Sequence, residues 1–382
     1  MTHRFTVSCA LLTLMSVVAC GSDSENGGSS GTGGTAPGST GGDTAASGGD
    51  TAASGGDTST TGGAPGTGGV VQGGGGMDGT GGGGPGPVSI CPPGSESLTL
   101  EPGDVSAGTP IATPPDLGSD GQHVNLEGPV WIDGALYTSQ LAFNGPGRIL
   151  KYTPGGTLEE HIPNSGTNGL AVDGDGTLYA ARQTNGSVST FDIGNPAAPP
   201  TVVVDQYEGA YFKSPNDLAI RSDGVLYFTD PEWQEAGNTQ SPRQTEERPY
   251  WVDHQRTVRA ISPSPTKPNG IILSADETVL YIGGDSIMKY DVAQDGSVSN
   301  GQPFGTGGSD GFGMDCAGNL YTTSGEHVLV FSPEGTQIKR IQVGSGVTNV
   351  AFGGPERKTL YITKMQPPSL YSVELNVPGF PY

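Results

Sequence analysis

Apolar residues in this chain come in short runs separated by polar turns, and six segments share one layout. They read EGPVWIDGALYTSQ from 127, NGLAVDGDGTLYAAR from 168, NDLAIRSDGVLYFTD from 216, NGIILSADETVLYIGG from 269, DGFGMDCAGNLYTTS from 310 and NVAFGGPERKTLYIT from 349. Each opens on a small or polar residue, runs through an apolar stretch, turns on polar residues, and continues into a second apolar stretch containing Leu-Tyr. In residues 214–231, SPNDLAIRSDGVLYFTDP, the pattern predicts strands over 218–220 and 225–229 joined by the turn at 221–224, a β-hairpin. Apolar stretches at 148–154, 187–193, 257–263, 286–292, 327–333 and 369–375 supply outer strands, so each unit has four.

The opening residues Glu127, Asn168, Asn216, Asn269, Asp310 and Asn349 are spaced by 41, 48, 53, 41 and 39 residues. A repeat of this size with paired strands in every copy predicts an all-β fold, a six-bladed β-propeller. Outside the first twenty residues no long helical period occurs, so little helix is expected. Residues near 95–101 are expected to complete the last blade and close the ring. Residues 231–256, PEWQEAGNTQSPRQTEERPYWVDHQR, interrupt the period as a loop over one face or an extension of the blade.

Composition divides the chain. Residues 1–20 carry Arg4, an apolar run and V-V-A-C, which predicts a secretory leader of lipoprotein type with Cys20 as the lipidated residue. Residues 21–90 hold 28 of the 66 glycines, no Lys or Arg, and the direct repeat GGDTAAS. Such a segment has too little apolar surface to order, and predicts a flexible linker with a reach of roughly 45 Å. Residues 91–382 form the propeller domain. The expected location is therefore outside the cytoplasm, anchored by lipid to a bacterial cell envelope, with the membrane touched only through that anchor and the domain monomeric.

Formal net charge is −22, and residues 91–382 alone carry 33 acids against 16 bases, which disfavours nucleic acid as a partner. Cys91 and Cys316 remain after the leader, an even pair in an exported chain, and a disulfide between them is expected. No thiolate cluster points to zinc, and neither a G-x-S-x-G elbow nor a P-loop is present.

In a propeller the first strand of every blade lines the central channel, so its opening residues converge on one mouth. Glu127, Asn168, Asn216, Asn269 and Asp310 are oxygen donors there, a set that suits a hard cation, Ca²⁺ first, with Mg²⁺, Mn²⁺ and Zn²⁺ left open. Asp217 reads as a turn residue and partner of Asn216.

Residues 120–375 resemble the family that includes gluconolactonase and senescence marker protein 30 (regucalcin). The motifs are Glu127-Gly-Pro-Val-Trp, Ser214-Pro-Asn-Asp with Gly224-Val-Leu-Tyr-Phe-Thr-Asp-Pro, Pro268-Asn-Gly and Ser309-Asp-Gly. The resemblance implies a six-bladed propeller with one divalent cation held by Glu127, Asn269 and Asp310, with Asn216 on or beside it. It also implies hydrolysis of a small-molecule lactone or related ester, Asp310 serving as general base as well as ligand. Some animal members carry an arginine where Ser214 stands, so their sugar-acid specificity is not carried over. Asn168 follows a pattern of bacterial members and is assigned to the substrate side.

His123, His161, His254 and His327 read as surface or strand residues, and Trp233, Tyr250 and Trp251 as blade packing or the lining of a pocket under the insertion. A different class of function also fits a tethered propeller: non-catalytic display of its faces to a protein or glycan.

Overall fold

The computed structural model describes residues 91–114, 123–142, 145–305, 307 and 310–380. The leader, Cys20 and the linker lie outside these residues. Among the described residues there are strands and two short 3₁₀ turns and no α-helix.

The strands form a six-bladed β-propeller. Blade one comprises His123–Ile132, Ala135–Ala142, Arg148–Tyr152 and Leu158–Pro163. Blade two comprises Leu170–Val172, Leu178–Arg182, Ser187–Phe191 and Thr201–Val204. Blade three comprises Leu218–Ile220, Leu226–Asp230, Arg248–Val252 and Val258–Ala260, and blade four Ile271–Leu273, Val279–Ile282, Ile287–Val292 and Val298–Gly305. Blade five comprises Phe312–Met314, Leu320–Ser324, His327–Phe331 and Gln337–Gln342. Blade six has three strands, Val347–Gly353, Thr359–Lys364 and Ser369–Glu374. Within every blade successive strands pair antiparallel.

The Leu-Tyr pairs explain why blades assemble into a ring. Side chains on a strand alternate between faces, and both faces of an inner hairpin are covered here, so neighbouring apolar residues serve opposite interfaces. Tyr137 packs with Leu170, Leu178 and Phe191 of blade two, while Leu136 packs with Ala351, Tyr361 and Leu370 of blade six. Corresponding clusters fill the other blade junctions. The turns follow local chemistry. In D-G-D-G-T the Asp173 carboxylate accepts the N–H groups of Asp175 (3.0 Å) and Thr177 (2.8 Å).

In blade three the tail of the insertion, Arg248–Val252, extends the blade as its third strand, and residues 257–263 contribute the outer strand Val258–Ala260. Two expectations are corrected. Blade six has three strands rather than four. Residues 95–101 do not complete the last blade; Ser95–Ser97 is a 3₁₀ turn. Instead Val105–Ser106 pairs parallel with the outer strand of blade five, and Ala112 bridges Leu370 on the three-stranded blade six. The reason is anchorage. The Lys339 ammonium donates to the carbonyls of Glu101 (2.7 Å) and Gly103 (2.8 Å), and Cys91 and Cys316 are joined by a disulfide, so the first residues lie along blade five.

Blades six and one meet without sharing a strand. Thr348 Oγ1 donates to Leu126 O (2.6 Å), and Trp131 stacks on Tyr361 with centroids 5.5 Å apart.

Candidate active site

The opening residues are fixed by the inner hairpins: Asn168, Asn216, Asn269 and Asp310 lie two residues before the first ladder residue, and Glu127 lies within its ladder. Asn168, Asn216 and Asn269 each donate a backbone N–H to the second strand of their own blade, at Ala181 (2.8 Å), Thr229 (2.9 Å) and Gly283 (2.8 Å). Their side chains are thereby held at one mouth of the channel. Glu127 reaches it from a bulge, where the register of blade one shifts between Glu127 and Val130.

Neighbouring blades come very close at this mouth. Gly128, at φ 52°, lies where an added Cβ would be 2.5 Å from Asn168 O, and a Cβ on Gly169 would be 2.5 Å from Asp217 Oδ1 and 2.7 Å from Asn216 O. A Cβ on Gly270 would be 2.8 Å from Asp310 O. The glycine after Glu127, Asn168, Asn269 and Asp310 lets each next blade press its own opening residue inward.

Register corrects the sixth repeat. Val350 occupies the place of Leu218, so Asn349 corresponds to Asp217, and Thr348 corresponds to Asn216. The local bonds agree: Asp217 N–H donates to Thr229 Oγ1 (3.1 Å) and Asn349 N–H to Thr363 Oγ1 (3.1 Å). The sequence alignment was displaced by one because Thr348 is a small polar residue that breaks no pattern. Asp217 and Asn349, from opposite blades, hydrogen-bond side chain to side chain, and Asp217 also accepts from the backbone of Ile271.

Around the mouth, Asn269 Nδ2 donates to Asp310 Oδ1 (2.7 Å), and Asn168 Nδ2 donates to Gln183 Oε1 (3.3 Å). Asp310 lies near enough to Glu127 and Asp217 for its charge to raise both. Burial, then the charges of Asp310 and Asp217, pushes Glu127 well above the usual carboxylate range. Burial likewise pushes Asp217 and Asp310 up to about 7 each, the amide of Asn269 pulling Asp310 partly back.

These residues fit a hard cation. Asn269 commits its nitrogen to Asp310, while its Oδ1 is buried without a hydrogen-bond partner. An acceptor so placed costs about 1–3 kcal/mol, and a cation would satisfy it while offsetting the crowded carboxylates. Among the described residues no three His, Cys, Asp or Glu side chains group as a metal cluster, so amide oxygens must complete the donor set.

Threonines on the second strands were not singled out in the sequence and act here. Thr229 Oγ1 donates to Asn269 O (2.7 Å), Thr323 Oγ1 to Thr348 O (2.8 Å) and Thr138 Oγ1 to Glu127 O (2.7 Å), tying the backbone of opening residues in place. In blades three, five and six the signal is Leu-Tyr-x-Thr. Ser214 is buried, and its hydroxyl donates to Pro231 O (2.6 Å).

The histidines lie elsewhere. His254 Nε2 is 3.4 Å from Asp223 on the far turns, His161 Nε2 bonds to Ile193 O (2.9 Å), and His327 starts an outer strand; the side chain of His123 is outside the described residues. Tyr250 packs among Phe212, Phe228 and Tyr207, and Trp251 packs between blades three and four. A cavity of about 1960 Å³ opens at the opposite mouth, lined by hairpin turns such as Asp133, Asp173, Asp223 and Glu277. A three-residue inner strand, about 10 Å long, separates it from the opening residues.

Residues 126–366 match the model of the SMP-30/gluconolactonase/LRE-like region. The chain belongs to this family. It is similar to a gluconolactonase of Zymomonas mobilis, 27% identical over 272 residues, covering 62% of this chain and 75% of that one. It is also similar to the pentonolactonase XacC of Haloferax volcanii, 27% identical over 252 residues, covering 62% and 80%. Among solved structures, a gluconolactonase from Xanthomonas campestris superposes with a TM-score of 0.59 at 26% identity, over 67% of this chain and 87% of that one.

Proposed function

We propose that this chain hydrolyses a small-molecule lactone or related ester with the help of a divalent cation at the Glu127 mouth, calcium being the first choice. The observation that carries the reading is Asn269, whose nitrogen donates to Asp310 while its Oδ1 is buried and unpartnered, with Glu127 near enough to feel the Asp310 charge. Family membership and the lactonase names of the relatives support it.

Glu127, Asn216, Asn269 and Asp310 would hold the cation. When bound, it supplies a Lewis acid for the scissile carbonyl and the negative charge that develops there. Asp310 takes the proton of the attacking water as its hydroxyl adds to the carbonyl carbon. The ring C–O bond then breaks, and the alkoxide leaving group receives that proton from Asp310. Asn168, steadied by Gln183, and Asn216 orient the substrate.

The test is turnover of a lactone panel beside metal analysis of the purified protein. We expect EDTA to abolish turnover and Ca²⁺ to restore it. Glu127→Gln and Asp310→Asn should each lose at least about 10²-fold in kcat with the strand signature of the circular dichroism spectrum kept. Parent-like turnover by both variants sinks the assignment, and a bound cation with no turnover on any lactone or ester favours the display module instead. The expected cell-surface tether is tested separately by labelling with a fatty acid, which Cys20→Ala should prevent.

A further inference from the structure

The mouth just described holds a reacting carbonyl, and it leaves open what else the substrate carries. We propose that the insertion in blade three builds a subsite beside the mouth, at Trp233, for a glycosyl substituent on the lactone. This rests on the hydrolase reading and adds the substrate class.

Placement comes first. Gln234 N–H donates to Ser214 Oγ (3.3 Å), two residues before Asn216. Asn238 Nδ2 donates to the carbonyls of Phe212 (2.9 Å) and Lys213 (2.8 Å), so the insertion is fastened to the segment that delivers Asn216. On the other side stands Lys267, two residues before Asn269. Its ammonium lies 3.2 Å from Glu232 and 4.4 Å from the centre of the Trp233 ring. Trp233 therefore spans the rims of blades three and four, the blades that contribute Asn216 and Asn269.

Chemistry then selects the occupant. A shallow cleft of about 430 Å³ is lined by Glu232, Trp233, Glu235, Ala236 and Arg243. Trp233 is 43% exposed, whereas Trp131 stacks on Tyr361 and Trp251 packs between blades. Lys267 covers one face of the indole, and its exposure leaves apolar ring surface for a ligand. Beside it, Arg243 Nε and Glu235 Oε1 hold each other at 3.1 Å, a preset donor and acceptor pair. Gln234 Oε1 is a further buried acceptor without a partner. An acyl chain would need a continuous apolar wall, and only Trp233 and Ala236 offer one. An anionic group would find the cations already paired, Lys267 with Glu232, and Arg243 and Lys213 with Glu235. A neutral pyranose suits the site: its C–H face lies on an indole, and its hydroxyls meet a balanced set of charged partners.

The experiment compares maltobiono-1,5-lactone with glucono-1,5-lactone, using the full chain and its Trp233→Ala and Trp233→Phe variants. The parent should prefer the disaccharide lactone. Trp233→Ala should lower the ratio of kcat/KM for the two lactones about tenfold, mainly through KM, and Trp233→Phe should recover part of it. An unchanged ratio in Trp233→Ala overturns the subsite and leaves the hydrolase reading intact. If neither these lactones nor any lactone or ester of the panel turns over, the hydrolase reading fails, and titration of intrinsic fluorescence with maltobionate still decides the subsite. Quenching in the parent that is lost in Trp233→Ala supports it, and equal curves overturn it.

Discussion

Single residues at the channel mouth are placed by lack of room as much as by attraction. Gly169 sits where a Cβ would enter Asp217 and the Asn216 backbone, so Gly169→Ala forces blades two and three apart. We expect about 1–3 kcal/mol lost in urea unfolding, with a loss of kcat larger than stability alone accounts for, since Asn216 moves with the clash. The places of Glu127, Asn216, Asn269 and Asp310 at the starts of the inner hairpins were legible from the repeat. The pairing of Asp217 with Asn349 was not, because it joins opposite blades, and a one-residue displacement in the sixth repeat hid the equivalence.

At the scale of elements, the insertion and the end of the second strand in blade three act as a clamp. Asp230 accepts the backbone N–H groups of Lys213 (2.8 Å) and Ser214 (2.7 Å), and Asn238 holds the neighbouring carbonyls. Asn238→Ala leaves two buried carbonyls unpaired. It should cost about 1–3 kcal/mol and weaken Ca²⁺ binding, read by calorimetric titration. Burial pushes Asp230 up to about 8 from an ordinary 3.8, against the pull of those N–H groups and the Lys213 charge. The folded chain then holds a proton that the unfolded chain releases, so this contribution to stability is full at about pH 4 and is lost as pH rises to about 8. Asp230→Asn should flatten that part of the dependence of Tm on pH; an unaltered slope would refute the shift.

Across the whole molecule, both ends of the described residues are fastened to blade five. The disulfide links Cys91 to Cys316 across 225 residues of sequence, and Cys316 N–H donates to Pro378 O (2.8 Å). Blade six, with three strands, depends on the Ala112 bridge and on packing against blade one. Removing the cross-link by Cys91→Ser should cost about 2–5 kcal/mol, because a long closed loop restricts the unfolded chain. A reducing agent should lower the denaturation midpoint of the parent to that of the variant and leave the variant unmoved.

The sequence alone determined the number of blades, the inner strand pairs and the polar residues that open them, because these follow from a local repeat of apolar and polar positions. Even the glycines beside the donors were written there, as Glu-Gly, Asn-Gly and Asp-Gly. Tertiary structure decided what depends on residues distant in the chain. It placed the strand of the insertion in blade three, the N-terminal segment along blades five and six, and Asp217 against Asn349. It also left Trp233 exposed beside the donors. A repeat specifies how each hairpin folds on itself, whereas the meeting of unlike loops around a ring depends on closure, and no local pattern encodes that.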